Sequence, residues 1–281
     1  DASTPLDVVI GLAAKHTGVK TVILHSHISG DTKQSMFRTF YMNFCRFLMK
    51  STFTHYFAIS NSSAKFMFPR SIYRKRDFKI YKNGIIADNY KIDLEKREQL
   101  RNILGVTNKF VLGHIGRFSP EKNHVFILEV FKEILKVRKD SVLLLIGTGV
   151  LKNQIESESK RMGIDRYVIF YGTSHDIPGL LNVMDSFIFP SQFEGLGISA
   201  IEAQCSGLHT FCSEGIPNET NISDRFHRIA GYDPCKWAKR ILNEDYTSER
   251  MDKINDVKKA GFDILTVAKE LEDFYIHVSD I

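Results

Sequence analysis

Short β-branched runs alternate with stretches of helical spacing along most of this chain. Residues 19–24 (VKTVIL) read as a first strand ending at His25-Ser26-His27, and 55–59 (HYFAI) as a second that runs into the cap-type cluster Ser60-Asn61-Ser62-Ser63. Between them, residues 36–50 place Phe37, Phe40, Tyr41, Phe44, Phe47 and Leu48 at helical spacing, which predicts a helix with its apolar face in the core. After 79–82, Asn83-Gly84 signals a turn, and the charged segment 91–104 predicts a linker helix. The rhythm then restarts. Strands are predicted at Phe110–Ile115, Ser141–Ile146, 167–170, Ser186–Phe189 and His209–Cys212, and helices at 125–137, 151–162, 178–183 and Ile198–Cys205. Apolar strands alternating with helices predict an α/β fold whose parallel sheets are covered on both faces. Everything beyond Trp237 reads as helical, ending in ILTVAKELEDFYIHV with Leu265, Val267, Leu271, Phe274 and Tyr275 as one apolar stripe.

At 281 residues and 43% hydrophobic, the chain can bury two ordinary cores. No apolar run approaches the roughly 20 residues of a membrane-crossing helix. Cys45, Cys205, Cys212 and Cys235 show no CxxC spacing, so they are expected to be reduced, buried thiols of a cytoplasmic protein, and metal binding through them is not expected. The net charge of +5 hides an asymmetry: residues 1–82 hold thirteen Lys/Arg against four Asp/Glu, and the remainder twenty-five against twenty-nine. The basic and aromatic stretch KFMFPRSIYRKRDFKIYK (65–82) suits anionic lipid or an anionic substrate, or else forms a solvated face. Nucleic acid ranks low, because no reader motif accompanies the charge.

In an open parallel sheet, ligands sit at the carboxyl ends of the strands, so chemistry is sought in the residues that follow them. Phe110–Ile115 runs into Gly116-Arg117-Phe118-Ser119-Pro120-Glu121-Lys122. The glycine lets backbone approach a ligand, and Arg117 and Lys122 can close on a diphosphate from two sides. A surface turn capping the next helix is the plain alternative. Ser141–Ile146 runs into Gly147-Thr148-Gly149, but a dinucleotide GxGxxG would need glycine where Lys152 stands; a nicotinamide cofactor is rejected and a tight turn expected. The third place is FEGLGISAIEAQ (193–204), after Pro190-Ser191-Gln192. Gly195 and Gly197 leave the backbone bare there, and a helix starting at Ile198 turns its free N–H groups toward an anion. Glu194 and Glu202 can accept hydrogen bonds from vicinal sugar hydroxyls, against the competing reading of an acidic first turn and an ordinary exposed Glu202.

Taken together, GRFSPEKN (116–123), FIFPS (187–191), FEGLGISAIEAQCSG (193–207) and SEGIPNE (213–219) resemble the donor-binding domain of the family-4 retaining glycosyltransferases of GT-B fold. The similarity is strongest to members that assemble capsular and extracellular polysaccharides. It covers most of the chain, with Asn83-Gly84-Ile85 at the interdomain turn. The resemblance implies two Rossmann-like parallel-sheet domains, the first truncated at its N-terminus: 1–82 is the partial, acceptor-side domain, 83–263 the linker and nucleotide-sugar-binding domain, and 264–281 a C-terminal helix packing back on the first. It implies transfer of a sugar from a nucleotide diphosphate sugar, foremost a uridine diphosphate sugar, to a saccharide or lipid-linked acceptor with retention. A GT-B nucleotide-sugar epimerase or phosphorylase, or a non-catalytic nucleotide-sugar-binding module, are the alternatives.

Carried over by this resemblance, Gly116, Arg117 and Lys122 with the backbone of Gly195, Leu196 and Gly197 would bind the donor diphosphate. Glu194 would contact sugar hydroxyls, Glu202 would hold the ribose, and Tyr171, Gly172 and Thr173 would lie near the base. His25 and His27 fall where the family has a histidine facing the sugar, with His27 the favoured one, and no third ligand is spaced with them for zinc. The absence of a DxD pair agrees with a metal-independent enzyme without cofactor. Family members carry a further strand–helix block ahead of residue 1, so this segment is expected to bind donor but turn over poorly, and the surface exposed by truncation to favour a homodimer. Helix 36–50 offers a lipid-facing surface for a lipid-linked acceptor at the inner face of a membrane, although core packing is the preferred reading of its apolar residues.

Overall fold

The computed structural model describes residues 7–27, 36–246 and 249–279. Residues 7–84 carry α1 (Val8–His16), β1 (Ile23–Ser26), α2 (Met36–Thr52), β2 (His55–Ala58), α3 (Asn61–Met67), α4 (Arg70–Lys75) and β3 (Lys79–Ile80). After a 3-10 turn at Ala87–Tyr90 come α5 (Leu94–Ile103), β4 (Phe110–Ile115), α6 (His124–Val137), β5 (Ser141–Ile146), α7 (Lys152–Arg161), β6 (Val168–Gly172), α8 (Ile177–Val183) and β7 (Ser186–Phe189). The chain continues through α9 (Ile198–Cys205), β8 (His209–Cys212), β9 (Phe226–Arg228), α10 (Pro234–Leu242), α11 (Ile254–Lys259) and α12 (Ile264–Ser279). Contacts divide it into two compact units: one joins the residues up to Gly84 with Phe193–Leu196 and those from Gly261 onward, and the other joins Ile85–Gln192 with Gly197–Ala260.

The first unit holds a parallel sheet of order β1-β2-β3. Its core gathers Leu24, Met49, Tyr56, Met67 and Phe68, and Phe274 of α12 packs on Phe57 beside Tyr81. The first strand starts later than the apolar run suggests. Val19 is spent at the end of α1, where its N–H donates to Ala14 O, and pairing with β2 begins only at Ile23 opposite His55. Helix α2 corrects the expectation of core packing: its buried face is Met42, Cys45 and Met49, whereas Phe40, Phe44 and Phe47 are 74%, 53% and 70% exposed. The side chain of Phe37 lies outside the described residues. On α12 the stripe is narrower than expected, because the helix meets its neighbours along Val267 and Phe274 and leaves Leu265 and Tyr275 exposed. The stretch after Trp237 is also not continuously helical, since α10 stops at Leu242 and α11 starts at Ile254.

The second unit holds six parallel strands in the order β6-β5-β4-β7-β8-β9. Phe110–Ile115 pairs along its length with Ser141–Ile146, as two largely apolar strands buried on both faces would. Edge strand β9 went unpredicted because Phe226-His227-Arg228 carries no apolar run; it is made by pairing with Thr210–Cys212. Helices α6 and α10 cover one face, where Phe131, Leu143, Ile188, Phe211 and Trp237 share a core. Among the cysteines, Cys235 is exposed, contrary to the expectation of four buried thiols, because it lies on the outer face of α10. Trp237 is fully buried and donates from Nε1 to Gly231 O at 2.8 Å. Trp237→Ala is therefore expected to cost about 3–5 kcal/mol, visible as a lowered Tm in circular dichroism.

Candidate functional site

Chain order in the six-stranded sheet runs outward from β4 to β6 on one side and from β7 to β9 on the other. The loops after β4 and β7 therefore part in opposite directions and leave a crevice at the carboxyl ends of two adjacent strands. Backbone hydrogen bonds stitch its rim. Gly116 N donates to Ile146 O (3.0 Å), Phe118 N to Thr148 O (2.9 Å) and Gly147 N to Gly172 O (2.7 Å), so the loops after β4, β5 and β6 form one layer. Gly147 has φ +139° and a Cβ there would lie 2.1 Å from Gly116 O, which is why the Gly147-Thr148-Gly149 turn needs glycine. Tyr171 and Thr173 stand exposed on that rim, either side of Gly172.

Lys122 folds back beneath the loop. Its Cδ would lie 3.4 Å from a Cβ on Gly116, and its ammonium sits 4.8 Å over the ring of Phe189, the last residue of β7. The same ring lies 3.2 Å from where a Cβ on Gly197 would be. Gly116, Lys122, Phe189 and Gly197 are thus brought together across the β4–β7 boundary, and Gln192 N holds the far side by donating to Glu121 O at 2.8 Å. Arg117 stands exposed on the same loop. Glu121 is a residue that sequence reasoning passed over. Burial pushes its carboxyl up, but the Ser119 hydroxyl, a backbone N–H and the charges of Lys122 and Arg117 together hold it below its ordinary value. Gly197, at φ +83°, caps α9, whose first turn contains no acidic residue. That removes the competing reading of an acidic first turn.

Glu202 lies in the second turn of α9, and it is not an ordinary exposed glutamate. Tyr90 Oη donates to its Oε1 at 2.5 Å, burial raises its carboxyl, and the Tyr90 hydrogen bond draws it back down. Nothing in the local pattern around Tyr90 marks it, because the contact joins residues 112 apart.

In the first unit, His25 and His27 stand at the mouth of β1, their rings 4.3 Å apart. Burial and the neighbouring His27 lower His25 to about 4, and burial also lowers His27. His25 packs edge-on to Phe57. Glu194, Gly195 and Leu196 group with this unit, where Ser60 Oγ donates to Gly195 O at 2.8 Å and Leu196 is buried.

A second polar cluster lies at the other end of the sheet, where β8 begins. His209 Nδ1 and His227 Nε2 are 2.8 Å apart in nearly parallel rings, with Glu244 3.4 Å from His209. Arg225 meets His209 Nε2, and Arg240 meets His227 Nδ1 at 2.8 Å. The 2.8 Å spacing is that of an N–H···N hydrogen bond between the rings, and arginines crowd the outer ring nitrogens, where a metal-bound histidine would itself donate.

With this geometry in hand, the family can be stated. The model of the glycosyl transferases group 1 matches residues 96–241, over half of the chain, and the chain belongs to that family. Among relatives, it is 28% identical over 236 residues to the putative glycosyltransferase EpsF of Bacillus subtilis (strain 168), covering 83% of this chain and 62% of that protein. It is 26% identical over 276 residues to the UDP-Gal:alpha-D-GlcNAc-diphosphoundecaprenol alpha-1,3-galactosyltransferase of Escherichia coli, covering 94% of this chain and 71% of that one. Its fold matches HepE of Anabaena in complex with UDP and glucose at a TM-score of 0.81 and 21% identity, over 98% of this chain and 76% of HepE. It also matches WaaG, a glycosyltransferase involved in lipopolysaccharide biosynthesis, at a TM-score of 0.66 and 17% identity, over 90% of this chain and 75% of WaaG. The expected α/β architecture of GT-B type is the one observed.

Several histidines are kept neutral by burial: His124 at the start of α6 is lowered to about 4, His227 likewise, and fully buried His114 well below 6.5. The unfolded chain takes up these protons near 6.5 while the folded chain does not, so stability is full above that pH and lost as pH falls toward 4. Each such ring steepens the fall by up to about 1.4 kcal/mol per pH unit. Tm is expected to drop across this window, and less steeply in His124→Gln.

Proposed function

We propose that this chain moves a sugar from a nucleotide diphosphate sugar, foremost a uridine diphosphate sugar, to a saccharide or lipid-linked saccharide acceptor with retention, in polysaccharide assembly. The observation that carries the reading is the convergence of Lys122, Gly116 and the capped start of α9 around Phe189, where the strand order changes direction between β4 and β7. As the glycosidic bond breaks, negative charge builds on the departing diphosphate. Lys122 as a point charge, Arg117 by its fork and the α9 N–H groups stabilise that charge in place, before it forms. No step of this reading calls on a metal or cofactor. Glu202 accepts from the ribose hydroxyls, Tyr171, Gly172 and Thr173 lie by the base, and Glu194 and His27 serve the sugar. Two of the relatives fit the reading by name: the galactosyltransferase of Escherichia coli acts on a diphosphoundecaprenol-linked sugar, and CapM of Staphylococcus aureus is a capsular polysaccharide biosynthesis glycosyltransferase. UDP is expected to raise Tm, and Lys122→Ala or Glu202→Ala to abolish the rise; an unchanged Tm in the wild type counts against the site. Product analysis with and without acceptor separates transfer from epimerisation or phosphorolysis.

The acceptor side of the reading draws on the first unit. A groove of about 770 Å³ is lined by Arg46, Lys50, Lys65, Arg70 and Arg74 together with Phe47, Phe68 and Tyr73, and among the described residues no acidic side chain lines it. Exposed Phe40 and Phe44 continue the apolar face along α2. Cations interleaved with aromatic rings fit an anionic lipid surface, each cation contributing about 1 kcal/mol near such a surface. On this reading the protein works at the inner face of a membrane. Vesicles containing phosphatidylglycerol should co-sediment the protein and phosphatidylcholine vesicles should not, with binding lost in Arg70→Glu/Arg74→Glu. Equal sedimentation with both lipids opposes the reading, and a dimer broken by Phe44→Ser/Phe47→Ser but indifferent to lipid assigns the face to a second copy instead.

A further inference from the structure

Glu202 is held by a residue outside its own helix. Tyr90 closes the 3-10 turn Ala87–Tyr90, is only 7% exposed, and places Oη 2.5 Å from Glu202 Oε1. The turn does not depend on Glu202 for its position. Cys205 Sγ donates to Ala87 O at 3.6 Å, and Lys258 Nζ pairs with Asp88 at 2.7 Å, so α9 and α11 both grip it. The phenol oxygen is a fixed point, whereas a glutamate has three rotatable side-chain bonds and would otherwise spread over several rotamers. We infer that Tyr90 is a positioning residue for donor binding, which fixes the Glu202 carboxylate so that its remaining lone pairs meet the vicinal hydroxyls of the ribose. This rests on the ribose-binding reading of Glu202 given above and adds the residue that prepares it.

Chemistry and geometry agree. A carboxylate offers about four acceptor positions, so one bond from Tyr90 leaves enough for two ribose hydroxyls. A hydroxyl donating to a carboxylate favours its ionised form, and the ionised form is the one that accepts from ribose. Burial works the other way and raises Glu202, with the Tyr90 hydrogen bond as the opposing influence. Cys205, on the same helix, feels Glu202 along with Asp252, Asp88 and Lys258, and burial first and then the acidic neighbours push its thiol up to about 12. Removing the phenol oxygen thus frees the Glu202 rotamer and raises its proton affinity together.

The test is calorimetric titration of UDP and 2′,3′-dideoxy-UDP into the wild type, Tyr90→Phe, Glu202→Gln and the double variant. Phenylalanine keeps the buried ring, so only the hydroxyl is lost. Tyr90→Phe is expected to weaken UDP about three- to thirtyfold, to leave the dideoxy nucleotide within about twofold, and to add nothing in the Glu202→Gln background. The acid limb of UDP affinity should move to higher pH in Tyr90→Phe, which lost packing alone would not produce. If the wild type does not distinguish the two nucleotides, the ribose reading of Glu202 falls and takes the inference with it. If it does distinguish them, and Tyr90→Phe binds both like the wild type or loses both equally, the inference alone is overturned.

Discussion

The parallel pairing of β4 with β7, Leu112 opposite Ser186 and Gly113 opposite Phe187, is the contact on which the rest of the candidate site depends. These strands are neighbours in space but separated in sequence by two strand–helix units. Their adjacency turns two ordinary strand-to-helix loops into facing walls. The backbone of the β4 loop is pinned by the β5 turn, which in turn is pinned by Gly172, so the wall carrying Arg117 and Lys122 is set by main-chain hydrogen bonds together with the buried ring of Phe118. Main-chain bonds of this kind hold a loop in place without filling the crevice with side chains, as a wall that must accept a ligand requires.

Electrostatics around that wall are arranged with few opposing charges. Lys122 rests over an aromatic face, which can hold a cation without neutralising it as a carboxylate would. Histidines 114 and 124 pack directly behind the loop, 4.9 Å apart, and burial keeps both neutral. Neutral rings fill space there without adding repulsion to the lysine. Glu121, on the same loop, is engaged by Ser119. A cation and a helix start on facing loops are the combination that stabilises charge appearing only during a reaction.

The two units differ in how they spend their surface. In the second, the central parallel strands bury the apolar residues of their segments, and the exposed large hydrophobics, such as Ile103 and Val150, stand singly along the sequence. In the first, three short strands bury one side of α2 and leave a row of phenylalanines beside a basic groove. Exposed aromatic residues beside a row of cations have few physical uses in water; a surface that receives something anionic and partly apolar is one of them.

Read alone, the sequence determined several elements of the second unit closely: β4, β5, β7, β8 and α9 begin and end where their apolar-rich stretches do, because a strand buried on both faces must be largely apolar and its loops cannot be. It also marked Gly116, Arg117, Lys122 and Glu202, since residues following such strands fall on one edge of the sheet. Only the tertiary structure decided which face of α2 is buried, that three residues at 226–228 form a strand, and that Tyr90 grips Glu202. Each depends on a partner distant along the chain: periodicity shows that a helix has an apolar side, but when apolar residues surround most of it, only the neighbouring element selects the one that is covered.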